Sequence, residues 1–144
     1  MHVPFKGAAE ATQAVLSNTI DMQIASTTGL MPNVRGGKLR MLAVSGDKRL
    51  VALPDVPTFT EAGVTWGGVL NWTGLWAPKG MSPALVTQLN QAVHKVLQDP
   101  ALVKRIEASG SRVVANSPGE FAAQLKAEYE VYKKVVDAQK LKLD

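Results

Sequence analysis

Three times in its second half this chain sets a capping residue directly before a proline: Ser82-Pro83, Asp99-Pro100 and Ser117-Pro118. Proline suits the first helical position, where its missing N–H is one the helix could not have satisfied. A Ser or Asp just ahead accepts from the next free donors. The three pairs therefore predict three helix starts. Glu120, three residues beyond Ser117, adds the second arm of a capping box. Leu85, Leu89, Val93 and Val96 recur at amphipathic spacing in the first helix, and Gly110 stops the second. Phe121, Leu125, Tyr129, Tyr132 and Val136 run down one side of the third. The intervening "SRVVA", residues 111–115, reads as a short strand.

The first half has a different rhythm. Residues 2–5 form a short extended run, with Pro4 suited to a strand end. Gly7 breaks the run, and an alanine-rich stretch over residues 8–16 places Ala11, Ala14 and Val15 on one helical face. Asn18 is a suitable helix stop. Residues 20–25, Ile-Asp-Met-Gln-Ile-Ala, alternate as a strand. A short helix is expected near Pro32 and Arg35, ended by Gly36-Gly37, followed by the strand "LRMLAVS" at 39–45. "ALPDVPTFTEAG" is a proline-rich connection whose Thr58 and Glu61 have capping-box spacing for one turn stopped by Gly63. Strands alternating with helices predict a parallel βαβαβ arrangement. The longest β-like run, carrying Val69, Trp72, Leu75 and Trp76, marks the change of character at residues 66–80. The chain thus divides into residues 1–65, a crossover region at 66–80, and a helical part at 81–144.

Composition narrows the function classes. With 144 residues, 46% of them hydrophobic, the chain has the makings of one ordinary core. The net charge of +4 comes from scattered basic residues, not from a stripe interleaved with aromatics, so nucleic acid is not the expected partner. There are no cysteines, and the two histidines, His2 and His94, have no second ligand at a metal-binding spacing. No metal or cofactor is expected. Neither a nucleophile–base pair nor a phosphate-loop signature occurs, which argues against an enzyme. No apolar run reaches the roughly 20 residues of a membrane span. The opening residues show no charged and apolar leader pattern, so the chain read literally stays in the cytoplasm.

Two turns could bind a ligand. In "PFKGAAE" a strand enters a glycine turn and then a helix, leaving backbone N–H groups free at Gly7, Ala8 and Ala9. The helix dipole adds partial positive charge there, and small side chains permit close approach. Lys6 either adds charge or points to water. The second turn, Ser26-Thr27-Thr28-Gly29, follows the next strand. In a parallel sheet it lies on the same edge, outside the carboxyl ends of the strands. Its hydroxyls would hydrogen-bond a carboxylate, or Thr28 would simply cap the short helix. Trp72 would either pack in a core or face a cleft.

The segments "HVPFKGAAEA", "GKLRMLAVSGDKR", "LPDVPTFTEAG", "WTGLWAPKGMSPALVTQLNQAVHKVLQDP" and "SPGEFAAQLKAE" resemble, in order, blocks of the Bug family. These are the periplasmic solute receptors of tripartite tricarboxylate transporters. The resemblance implies an α/β, periplasmic-binding-protein type II-like fold of two lobes. Here it would be truncated to a βαβαβ lobe plus a strand and helices belonging to the other lobe. It also implies a periplasmic place of action, a membrane transporter as partner, and a small carboxylate held by backbone groups and water. The family's ligand loop maps onto Phe5, Lys6, Gly7, Ala8 and Ala9, with Thr27 and Thr28 nearby. Phe5 replaces the usual tyrosine and so lacks its hydroxyl.

Family members are about twice as long. By the resemblance, most of the first lobe and the first strand and helix of the second have no counterpart in these residues. That strand is central in its sheet, and its loss would leave neighbouring backbone unpaired. A homodimer or higher oligomer, with exchange of segments as one route, is therefore expected. The alternative to a ligand-binding receptor is a non-transporting module that folds by self-association and has lost binding.

Overall fold

The computed structural model describes residues 1–65 and 70–140. Trp66 and Val69 of the expected crossover run lie outside the described residues. Five helices follow in order: α1 (Ala8–Leu16), α2 (Thr27–Arg35), α3 (Pro83–Val96), α4 (Pro100–Ala108) and α5 (Pro118–Gln139).

The three proline-led starts are where the capping pairs place them. The Ser82 hydroxyl accepts from the Leu85 N–H at 3.3 Å, and the Asp99 carboxylate from the Ala101 N–H at 2.8 Å. At α5 both arms of the capping box form. The Glu120 N–H donates to Ser117 Oγ at 3.2 Å, and the Ser117 N–H donates to Glu120 Oε2 at 2.8 Å. Thr58 and Glu61 make the same reciprocal pair, at 3.1 and 2.8 Å, around a single turn.

The helix ends are also built locally. After α1, the Thr19 N–H reaches the Ala14 carbonyl and the Asn18 N–H that of Val15. This is the paired closure that requires one left-handed residue, here Asn18 with φ of 56°. The same closure ends α2 through Gly37 and α4 through Gly110, whose φ is 83°.

Helix α2 differs from expectation. It starts at Thr27, five residues before Pro32, so Pro32 sits inside the helix. Ser26 already has the extended backbone of a capping position, φ −62° and ψ 129°. Helical geometry propagates from there, and only the carbonyl of Thr28 loses its partner to the proline ring.

The strand expectations are met least. Among the described residues no sheet ladder forms, and a single parallel bridge joins Val44 to Thr58. Val44 donates to the Pro57 carbonyl and accepts from the Phe59 N–H, both at 2.9 Å. The expected strands at 2–5, 20–25 and 111–115 make no ladder contacts with one another. Alternating side chains do not make a strand without a neighbour to supply hydrogen bonds.

Two packed regions result. In the first, Ala14, Leu30, Met31, Val44 and Thr58 are the buried side chains among the described residues. In the second, α3 packs on α5 and the segment 72–76 lies across the start of α5. Trp72 meets Phe121 edge-on at 4.9 Å, and Trp76 lies 5.5 Å from the same ring. Gly74 is needed at this crossing, since a Cβ there would sit 2.6 Å from the Phe121 ring.

Much apolar surface stays uncovered. The accessible area is 11328 Å², whereas a compact monomer of this mass exposes about 7,200 Å². Met22 and Ile24, on one side of the expected second strand, are 71% and 76% exposed, and Tyr129 and Tyr132 of α5 are exposed as well.

The caps generate two expectations. Ser117→Ala should cost about 1 kcal/mol of stability in urea unfolding. Stability should also fall in acid. The Arg49 side chain and the Thr58 N–H hold Glu61 below its ordinary carboxyl range, and the Ser117 N–H and hydroxyl do so for Glu120. Stability from these groups is present above the ordinary carboxylate pKa and is lost as pH drops through the lowered values. Melting temperature followed from pH 6 to pH 2 should decline, and less steeply in a Glu61→Gln, Glu120→Gln double variant.

Candidate functional site

Helices α1 and α2 meet at their N-terminal ends and enclose a groove of about 200 Å³. Ala8, Ala9 and Thr12 of α1 line one side. Ala25, Ser26, Gly29 and Leu30, at the start of α2, line the other. No charged side chain is among these residues, most of which are small, and the groove surface is mainly apolar.

What distinguishes this place is the state of the helix ends. The N-caps of α1 and α2 are Gly7 and Ser26, and neither supplies a side-chain cap. The helices α3, α4 and α5 are all capped by a side chain. The N–H groups of Ala8 and Ala9, and of Thr27, Thr28 and Gly29, therefore stay without a partner among the described residues. Two positive helix ends converge on one neutral groove. Glu10, in the first turn of α1, accepts from the Lys6 N–H at 3.3 Å.

The sequence-derived candidates divide. Ala8 and Ala9 line the groove, and Gly7 caps the helix at its edge. Phe5, half-buried, and Lys6, exposed, are not lining residues. Thr27 and Thr28 stand in the first turn of α2, but their side chains are engaged elsewhere. The Thr27 methyl lies against Gly110, and the Thr28 hydroxyl is 3.0 Å from that of Ser111. Neither lines the groove, whose α2 side is formed by the flanking Ser26, Gly29 and Leu30, so the expected hydroxyls are not brought to it. Trp72 belongs to the other packed region: its indole N–H donates to Glu128 at 2.8 Å, and it takes no part in the groove.

Ser26 and Gly29, the outer members of the second candidate turn, line the groove, and so do Thr12, Ala25 and Leu30, which carry no binding signal in the sequence. Thr12 accepts from the Gln23 amide at 3.0 Å and donates to the Ala8 carbonyl at 2.8 Å, which ties α1 to the segment before α2. In the sequence it is marked only by its place one turn after Ala8. His94, half-buried on α3, lies with Asn90 against the Asn116 carbonyl, a structural contact far from the groove. No group of three His, Asp or Glu able to hold a metal occurs among the described residues.

Comparison with known proteins identifies the family. Residues 1–141 match the model of the tripartite tricarboxylate transporter family receptor. The chain belongs to that family. It is 32% identical over 137 residues to a UPF0065 protein of a Pseudomonas species, covering 94% of this chain and 41% of that protein. A solved periplasmic transporter superposes over 100% of this chain and 48% of its own, with a TM-score of 0.81 and 37% identity. MatC from Rhodopseudomonas palustris, solved with bound malate, superposes over 94% of this chain and 45% of its own, with a TM-score of 0.62 and 30% identity. The chain thus spans less than half the length of these relatives. Its fold is that of part of a periplasmic binding protein, as the sequence blocks imply.

The uncapped α1 end gives a direct test. Gly7 has φ of −174°, extended backbone that any residue adopts, and a Cβ there meets nothing within 4 Å. Gly7→Asp should therefore cap α1 and gain about 0.5 kcal/mol in thermal or urea unfolding.

Proposed function

We propose that the groove between α1 and α2 is one wall of a solute site and binds a carboxylate group of a small mono- or dicarboxylate. The carrying observation is that the two helices meeting there are the two without a side-chain cap. A carboxylate seated between them accepts from both sets of N–H groups and meets both dipoles, each worth about 0.3–1 kcal/mol. The ligand-binding residues are Gly7, Ala8 and Ala9 with the backbone of Thr27 and Thr28. Thr12, Ser26 and Gly29 shape the groove. Phe5 and Lys6 flank it, and Trp72 is left out. The family assignment and the malate bound to MatC support the ligand class.

In this reading the protein acts as part of a periplasmic receptor that hands its ligand to a membrane transporter, and it is not an enzyme. Isothermal titration with malate and succinate should show saturable binding. Gly7→Asp should abolish it, because the new carboxylate takes the donors the ligand needs. Gly29→Leu should weaken it at least tenfold, because a Cβ at Gly29 meets nothing within 4 Å and the side chain is free to fill the groove. Binding unchanged in both variants would refute the assignment of the site.

A second reading is favoured by the surface. About 4,000 Å² more is exposed than a compact monomer of this mass leaves open. The expected strands also lack ladders. Both support self-association into a homodimer or higher oligomer. Light scattering on a size-exclusion column should give at least twice the monomer mass, and a sharp monomer peak at micromolar concentration would contradict it.

A further inference from the structure

We propose that the turn closing α4, residues 108–112, is a positioning strap for the ligand groove. None of its residues lines the groove, yet it sets where the α2 half of the anion site stands. The inference rests on the carboxylate reading above.

The strap touches α2 at both ends. At the C-terminal end, the Arg35 guanidinium donates to the Ala108 carbonyl. At the N-terminal end, Ser111 Oγ lies 3.0 Å from Thr28 Oγ1. Between them Gly110 is buried against the helix. A Cβ on Gly110 would sit 2.6 Å from Thr27 Cγ2 and 3.1 Å from Met31 Cγ, so the turn approaches α2 more closely than any side chain permits. Met31 is itself only 3% exposed. Arg112 adds an ion pair to Asp47 at 2.8 Å.

The strap's own shape is fixed from the α4 side. The left-handed Gly110 and the bonds from Gly110 N–H to the Glu107 carbonyl and from Ser111 N–H to that of Ile106 lock the turn to the helix end. Ser111 is thus held rigidly and in turn holds Thr28. Thr28 lies one residue before Gly29, which lines the groove, so a shift of Thr28 moves the α2 side of the groove with it. Residues 1–35 and residues 100–112 are coupled through this contact, 83 positions apart in sequence.

Malate titration and amide hydrogen exchange on Ser111→Ala, Ser111→Thr and Gly110→Ala test the strap. Ser111→Ala should weaken malate roughly three- to tenfold, with little change in melting temperature, and Ser111→Thr should restore affinity to within about twofold of wild type. In ligand-free protein, amides of residues 27–35 should exchange faster in Ser111→Ala and Gly110→Ala while those of α3 stay unchanged. If Gly110→Ala does not fold, Ser111→Ala carries the test. Wild-type affinity in Ser111→Ala or unaltered exchange at residues 27–35 overturns the strap. If wild-type protein takes up no malate, the carboxylate reading fails and the strap, which rests on it, falls with it; malate bound equally well by wild type and Ser111→Ala overturns the strap alone.

Discussion

The first backbone N–H groups of any helix have no partner within it and must find one outside. That constraint organises this chain. At α3, α4 and α5 a Ser or Asp ahead of a proline meets it from within the sequence. At α1 and α2 it is left open, and those two ends meet across a groove of small, uncharged residues. Ala8, Ala9, Thr28 and Gly29 are exposed, so these N–H groups are open to water or to a ligand.

The second constraint is surface. The buried side chains are few, and the α1–α2 region is joined to the later helices chiefly through the α4 turn against α2. Met22 and Ile24 of residues 20–25, and Tyr129, Tyr132, Val135 and Val136 of α5, face outward. The chain spans less than half the length of these relatives, and its apolar surface is large. Either other polypeptide or further copies of the same chain would supply both the apolar cover and the missing ladder partners, because hydrogen bonds between strands cannot be made by one strand alone.

The sequence made the local features legible and the long-range ones illegible. Capping pairs, the capping boxes at Thr58 and Ser117, and the left-handed stops at Asn18, Gly37 and Gly110 depend on residues a few positions apart, and each is found. The start of α2 was misplaced because Pro32 resembles a first helical residue, while the extended backbone of Ser26 sets the true start. The groove was half visible: Gly7, Ala8 and Ala9 announce an open helix end. The engagement of Thr27 and Thr28 with Gly110 and Ser111 depends on a contact no local pattern encodes. For Trp72 the sequence leaves both core and cleft open, and the partners that claim it, Phe121 and Glu128, lie far along the chain.

The open N–H groups are directly observable by nuclear magnetic resonance. In a malate titration of ¹⁵N-labelled protein, the amides of Ala8, Ala9, Thr28 and Gly29 should shift most and together, as expected of donors taken up by one carboxylate. Absence of shifts at these four residues, or a set of shifts centred elsewhere in the chain, would contradict the anion site.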